Sequence, residues 1–182
     1  MKKLFAITAL LLLAPGLASA QKSDHHSPFQ GYFLFGFGTD SPPINQYSYL
    51  YPPGYATHSV SKQLAFGGEV VSKPGLGLGF EMGWIRTIQN ALWVRTPSLY
   101  VSYHFPKLAH RKIEPFVDAG ATLMYDQFDE TRGAAAANFG GGVNFWFMKH
   151  VGLRCDVKDF RQGHPSPEYP NFLELRVGVA FR

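Results

Sequence analysis

The 182-residue sequence predicts an all-β fold, an eight-stranded antiparallel up-and-down transmembrane β-barrel. Two patterns carry this prediction. Apolar side chains recur at every second position through eight segments, and the positions between them hold Gly, Ser, Ala and Asn with scattered charges. The connections between segments are short on one side and longer on the other, as in barrels whose short turns face the periplasm. The stretch FGGGVNFWFMKHVGLR, residues 139–154, concentrates these features: a run of glycines, then Phe145, Trp146 and Phe147, then a reversal at Lys149-His150. A soluble sheet avoids interior glycine and a continuous aromatic band. A cramped barrel interior and a lipid exterior make both useful.

Lys2 and Lys3 precede the apolar run LFAITALLLLA, and ASA precedes Gln21, so residues 1–20 read as a signal peptide. Residues 21–28 form a short tail and residues 29–182 the barrel domain. The leader's apolar run is too short for a retained membrane helix, and nothing after it reaches the roughly 18 apolar residues a spanning helix needs. Cys155 is the single cysteine, so no internal disulfide is available and packing is its expected role. The formal charge of +4 owes half its value to Lys2 and Lys3, which leaves no nucleic-acid footprint.

In the first strand Phe33, Phe35 and Phe37 share one face and Gly36 and Gly38 the other. The second, from Val60 to Val70, sets Leu64, Phe66 and Val70 against Ser61, Gln63, Gly67 and Glu69. The third sets Leu76, Leu78, Phe80, Met82 and Trp84 against Gly77, Gly79, Glu81 and Gly83. In the fourth, Leu99, Val101, Tyr103 and Phe105 oppose Ser98, Tyr100, Ser102 and His104. The fifth places Ile113, Val117, Ala119, Ala121, Leu123 and Tyr125 opposite Glu114, Asp118, Gly120 and Thr122. The sixth has Phe139, Val143, Phe145 and Phe147 on one side and Asn138, Gly140, Gly142, Asn144 and Trp146 on the other. The seventh alternates Val151, Leu153, Cys155 and Val157 with Gly152, Arg154, Asp156 and Lys158. The eighth alternates Leu173, Leu175, Val177, Val179 and Phe181 with Glu174, Arg176, Gly178 and Ala180. Longer loops are expected between strands one and two and near residues 87–93, 126–133 and 161–171. Short connections are expected at SKPG, from Pro106 to Lys112, and at Lys149-His150.

Alternation alone also fits a lipocalin-like barrel with its apolar face inward. The small-residue face decides against it, because a face meeting bulk water would be dense in Lys and Glu, whereas eight strands leave an interior just wide enough for side chains. Trp84, Tyr103, Phe105, Tyr125 and Phe181 then project outward near strand ends as aromatic girdles. The inward set carries Glu69, Glu81, Glu114, Asp118, Asp156 and Glu174 with Arg154, Lys158 and Arg176. Unpaired buried charge is costly, so the three bases are expected to pair with some of these carboxylates as a filled polar interior.

The leader, the hairpin GGGVNFWFMKHVGLRCDVKDF and the closing FLELRVGVAF together resemble the small outer-membrane β-barrel family, of the OmpA-like and OmpX-like transmembrane type, over nearly all of residues 28–182. The resemblance implies a bacterial outer-membrane location with lipid and lipopolysaccharide as surroundings. It also implies recognition of the last strand by the barrel-assembly machinery, although here Arg182 follows the aromatic Phe181.

Some small barrels of this environment are lipid A deacylases or acyltransferases, so serine, histidine and acid arrangements are candidate chemistry. Ser102, His104 and Glu114 share the inner face but lie near the periplasmic end, away from outer-leaflet lipid. His164, Ser166 and Glu168 lie on the correct side, but Pro165 and Pro167 break the strand that would align them. GLGLG at residues 75–79 follows the strand period with no helix behind it, so it is no phosphate loop. Asp24, His25 and His26 read as tail and not as a metal site. Tyr47, Tyr49, Tyr51 and Tyr55, framed by paired prolines, offer rigid rings for an extracellular partner. The expectation is a non-enzymatic barrel, without cofactor, metal or open pore, acting in envelope integrity or surface interaction. A lipid A-modifying hydrolase and a narrow solute channel are the alternatives.

Overall fold

The computed structural model describes residues 29–41, 60–87, 93–105, 112–126, 133–163 and 171–182. These form β1 (Phe29–Ser41), β2 (Val60–Val71), β3 (Leu76–Thr87), β4 (Trp93–His104), β5 (Ile113–Asp126), β6 (Gly133–Trp146), β7 (Val151–Gln162) and β8 (Asn171–Phe181). Each strand pairs antiparallel with the next, and β8 returns to β1 with Phe33 opposite Val179 and Phe37 opposite Leu175, so the sheet closes. Closure leaves no unpaired edge, the condition a sheet must meet in hydrocarbon.

The pleat sorts the side chains. Leu78 and Leu175 are 64% and 65% exposed on the outer wall, while Arg154 and Arg176 are 1% exposed inside. In water that outer surface would be a continuous apolar patch; against lipid it costs nothing. The glycines are the counterpart of a crowded interior. A Cβ on Gly79 would overlap the Tyr100 ring, and one on Gly140 would lie 2.8 Å from Asp118 Oδ2 and 3.0 Å from Lys158 Cδ. Large inner side chains therefore lie over glycines of neighbouring strands.

The short turns stitch one end together. In Ser72–Gly75, Gly75 N–H donates to the Ser72 carbonyl at 2.8 Å and Gly75 takes φ of 94°, a conformation that costs any residue with a Cβ. At the β6–β7 reversal the turn covers Phe147 to His150, wider than the Lys149-His150 expectation, with Met148 N–H donating to the Val151 carbonyl at 3.1 Å. Arg182 N–H donates to the His150 carbonyl at 3.1 Å, and Arg182 Nε donates to the Lys149 carbonyl at 3.2 Å, so the residue after Phe181 ties β8 to this turn.

At the long-loop end the strands reach the bounds of the loops expected near residues 87–93, 126–133 and 161–171. β4 begins at Trp93, β6 at Gly133, and β7 continues to Gln162. Pro97 is accommodated inside β4: the β4–β5 ladder passes from Arg95↔Tyr125 to Ser98↔Thr122 without pairs between them, as expected where the residue has no N–H to donate.

Candidate functional site

The inner wall is layered along the barrel axis. At its centre Arg154 Nη1 donates to Glu69 Oε1 at 2.9 Å and its Nε to Asp156 Oδ2 at 3.2 Å. The guanidinium is sandwiched between the Tyr32 and Phe116 rings, 4.2 and 4.0 Å from their centroids. Arg176 grips Asp156 with two bonds, from Nε at 2.6 Å and Nη2 at 3.0 Å, and reaches Glu81 with Nη1 at 2.6 Å. Asp156 thus bridges the two arginines. Lys158 Nζ pairs with Asp118 and lies 4.7 Å from the centroid of the Tyr100 ring. Tyr32 OH donates to Glu81 at 3.0 Å and shares a 2.9 Å hydrogen bond with Tyr100 OH. Fork geometry, ring faces and hydroxyls together offset the desolvation that would make an isolated buried ion untenable.

Toward the short-turn end, each His104 ring nitrogen faces a carboxylate: Nδ1 lies 2.5 Å from Glu114 and Nε2 3.1 Å from Glu69. Glu114 also accepts from Gln30 Nε2 and Trp146 Nε1, each at 2.9 Å. Arg182 stacks 4.2 Å over Trp146 and sits 3.6 Å from Glu114, covering this mouth. Toward the long-loop end, Ser61 Oγ donates to Glu174 at 2.5 Å, while Glu174 Oε2 has no partner among the described residues. Beyond this level Ile85, Val94, Met124, Ala136, Phe160 and Phe172 form a buried apolar layer across the lumen.

All nine charged residues selected from sequence lie on the inner strand face, and eight of them meet an opposite charge there. Two of the carboxylates meet none of the three bases Arg154, Lys158 and Arg176. Glu174 meets a hydroxyl, not a base, because Arg176 is drawn to Asp156 and Glu81. Glu114 is met by His104 and Arg182, which the sequence reading did not place among the ion pairs. The interior is also not uniformly polar, since an apolar layer occupies inner positions at the long-loop ends of the strands. Their shared parity with the inner face was the available signal.

Ser102, His104 and Glu114 do come together, but not as a relay. Ser102 Oγ donates to Glu69 at 2.6 Å, and both His104 nitrogens are engaged by carboxylates, so neither is left to take the serine proton. Tyr47, Tyr49, Tyr51 and Tyr55, the set His164, Ser166 and Glu168, the tail residues Asp24, His25 and His26, and the leader lie outside the described residues. Among the described residues no group of three or more His, Cys, Asp or Glu side chains forms a metal site.

No family model matches the sequence, and no curated protein does. Solved structures similar in fold include Neisserial surface protein A, with a TM-score of 0.67, 12% identity, and coverage of 85% of this chain and 97% of that one. The outer-membrane protein OprG of Pseudomonas aeruginosa has a TM-score of 0.53, 9% identity, and coverage of 84% and 94%. The outer-membrane enzyme PagL has a TM-score of 0.51, 10% identity, and coverage of 84% and 99%. At these identities the likeness is one of architecture. The closed eight-stranded sheet, its apolar outer wall and these neighbours make the chain a small β-barrel protein of the bacterial outer membrane.

Proposed function

We propose that this protein is a non-enzymatic outer-membrane barrel with a sealed interior, a rigid support for extracellular loops that acts in envelope integrity or surface interaction. One observation carries the reading: a packed layer of ion pairs around Arg154, Asp156 and Arg176 fills the lumen, and an apolar layer around Phe160 and Phe172 lies above it. Neither layer suits conduction, since the arginines are held by two carboxylates each and the apolar side chains offer an ion no ligands. The engagement of Ser102 and His104 by carboxylates also favours a structural role over hydrolysis. Similar folds include both a surface protein and an enzyme, so fold alone does not choose between them.

Under this reading residues 1–20 are removed on export and the barrel-assembly machinery inserts the mature chain. Tyr47, Tyr49, Tyr51 and Tyr55 of the first loop then contact a partner outside the cell, and lipopolysaccharide surrounds the upper wall. Two measurements test the seal and the absence of catalysis. Purified protein in planar bilayers is expected to give no single-channel steps, and lipid A incubated with it is expected to keep its acyl chains by mass spectrometry. Steady conductance, or acyl loss abolished by His164→Ala or Ser166→Ala, would replace this reading.

A further inference from the structure

The outer wall is apolar along most of β1–β5, with three cations at the long-loop end: Lys62 on β2, Arg86 on β3 and Arg95 on β4. The register sets Lys62 directly opposite Arg86, Arg86 opposite Trp93, and Arg95 opposite both Trp84 and Tyr125. Lys62 and Arg86 are exposed, and Arg95 is half-buried. The Arg86 guanidinium lies 5.4 Å from the centroid of the Trp93 ring, and Trp84 packs on Phe66 with centroids 5.6 Å apart.

Like charges directly opposite one another on a sheet face repel. For Lys62 and Arg86 the outer wall supplies no compensation, because no outward position of β1–β5 among the described residues carries Asp or Glu. The connecting segments 42–59 and 88–92 contain neither residue in sequence. On β7 of the far wall the arrangement is different: Arg161 has its own carboxylate, Asp159, at 2.8 Å. The β2–β4 sector is thus a set of fixed cations seated on an aromatic belt, lacking the anion that would neutralise Lys62 and Arg86.

We propose that Lys62 and Arg86 bind the phosphoryl groups of an outer-leaflet glycolipid, the phosphorylated lipid A portion of lipopolysaccharide. The acyl chains lie on the apolar wall below, against Leu64, Phe66 and Met82. Depth and chemistry agree. Lysine and arginine stems run along apolar surface while their heads reach the interface, Trp marks that interface, and guanidinium forks match phosphate oxygens. The inference rests on the proposed orientation, with long loops outside the cell, and deepens that reading by naming the lipid contact.

The test uses the full mature protein in lipid nanodiscs, with native mass spectrometry reading retained lipid. Diphosphorylated lipid A, its dephosphorylated form and inorganic phosphate are the probes. Wild type is expected to retain the diphosphorylated lipid, and the double variant K62Q/R86Q to lose about tenfold or more of that affinity. Dephosphorylated lipid is expected to bind wild type as weakly as the phosphorylated lipid binds the variant. R161Q, which removes a single paired cation from the far wall, is expected to bind like wild type and controls for loss of a wall cation away from the site. Unchanged retention by K62Q/R86Q, or equal loss in R161Q, would overturn the site. Displacement of the lipid by millimolar inorganic phosphate would overturn the lipid as its ligand. Labelling of H58C on intact cells reports loop orientation separately, so a reversed barrel and a failed lipid site give different results.

Discussion

Asp156 illustrates how single residues hold this barrel. It takes three bonds from two arginines in a buried site, so its neighbours cannot be removed singly without stranding charge. Arg176→Met leaves Glu81 and half of Asp156 uncompensated, and urea unfolding in phospholipid vesicles is expected to show a loss of about 3–5 kcal/mol. Arg161→Ala, which breaks a pair whose arginine is 55% exposed, is expected to cost about 0–1 kcal/mol in the same assay. Comparable losses from both would mean that burial is not what makes the inner pairs matter. At this scale the sequence was legible in one respect only. Parity put the charged set inside, but Glu69 meets Arg154 across a separation of 85 residues, and no local pattern encodes that distance.

The strands themselves follow from local rules, and their ends do not. Period-two alternation predicts each strand's existence and SKPG predicts the β2–β3 turn, in which Gly75 takes a left-handed φ of 94°. Gly75→Ala is expected to destabilise the barrel by about 1–2 kcal/mol while leaving the folded, heat-modifiable form intact on gels. An unchanged unfolding midpoint would show that the turn relaxes at no cost. Near the upper strand ends, Pro97 and the run GAAAA at residues 133–137 carry weak strand propensity. Closure overrides that weakness: both edges of β4 and β6 are already lined by partner strands, so extending the ladder satisfies backbone groups that would otherwise be left open.

Across the whole molecule two layers cross the lumen in series, ion pairs near its middle and an apolar layer near the long loops. Phe160→Ala/Phe172→Ala is expected to lower stability by roughly 3–5 kcal/mol per ring, yet still to give no single-channel steps, because the arginine layer remains. Steps from this variant would identify the apolar layer as the only seal. The outer wall has its own organisation, apolar through the middle and cationic at one sector of the rim, and it is there that the barrel has charge to offer the membrane.

The sequence by itself determined the strand number, the alternation of faces and the choice of which face meets lipid, because all three are properties of a pleated strand and the composition of its two sides. The tertiary structure alone decided which carboxylate meets which base, why Glu174 is left with Ser61, and that an apolar layer covers the charged one. Those outcomes depend on the stagger at which the sheet closes, which brings residues as far apart as Ser61 and Glu174 to within 2.5 Å.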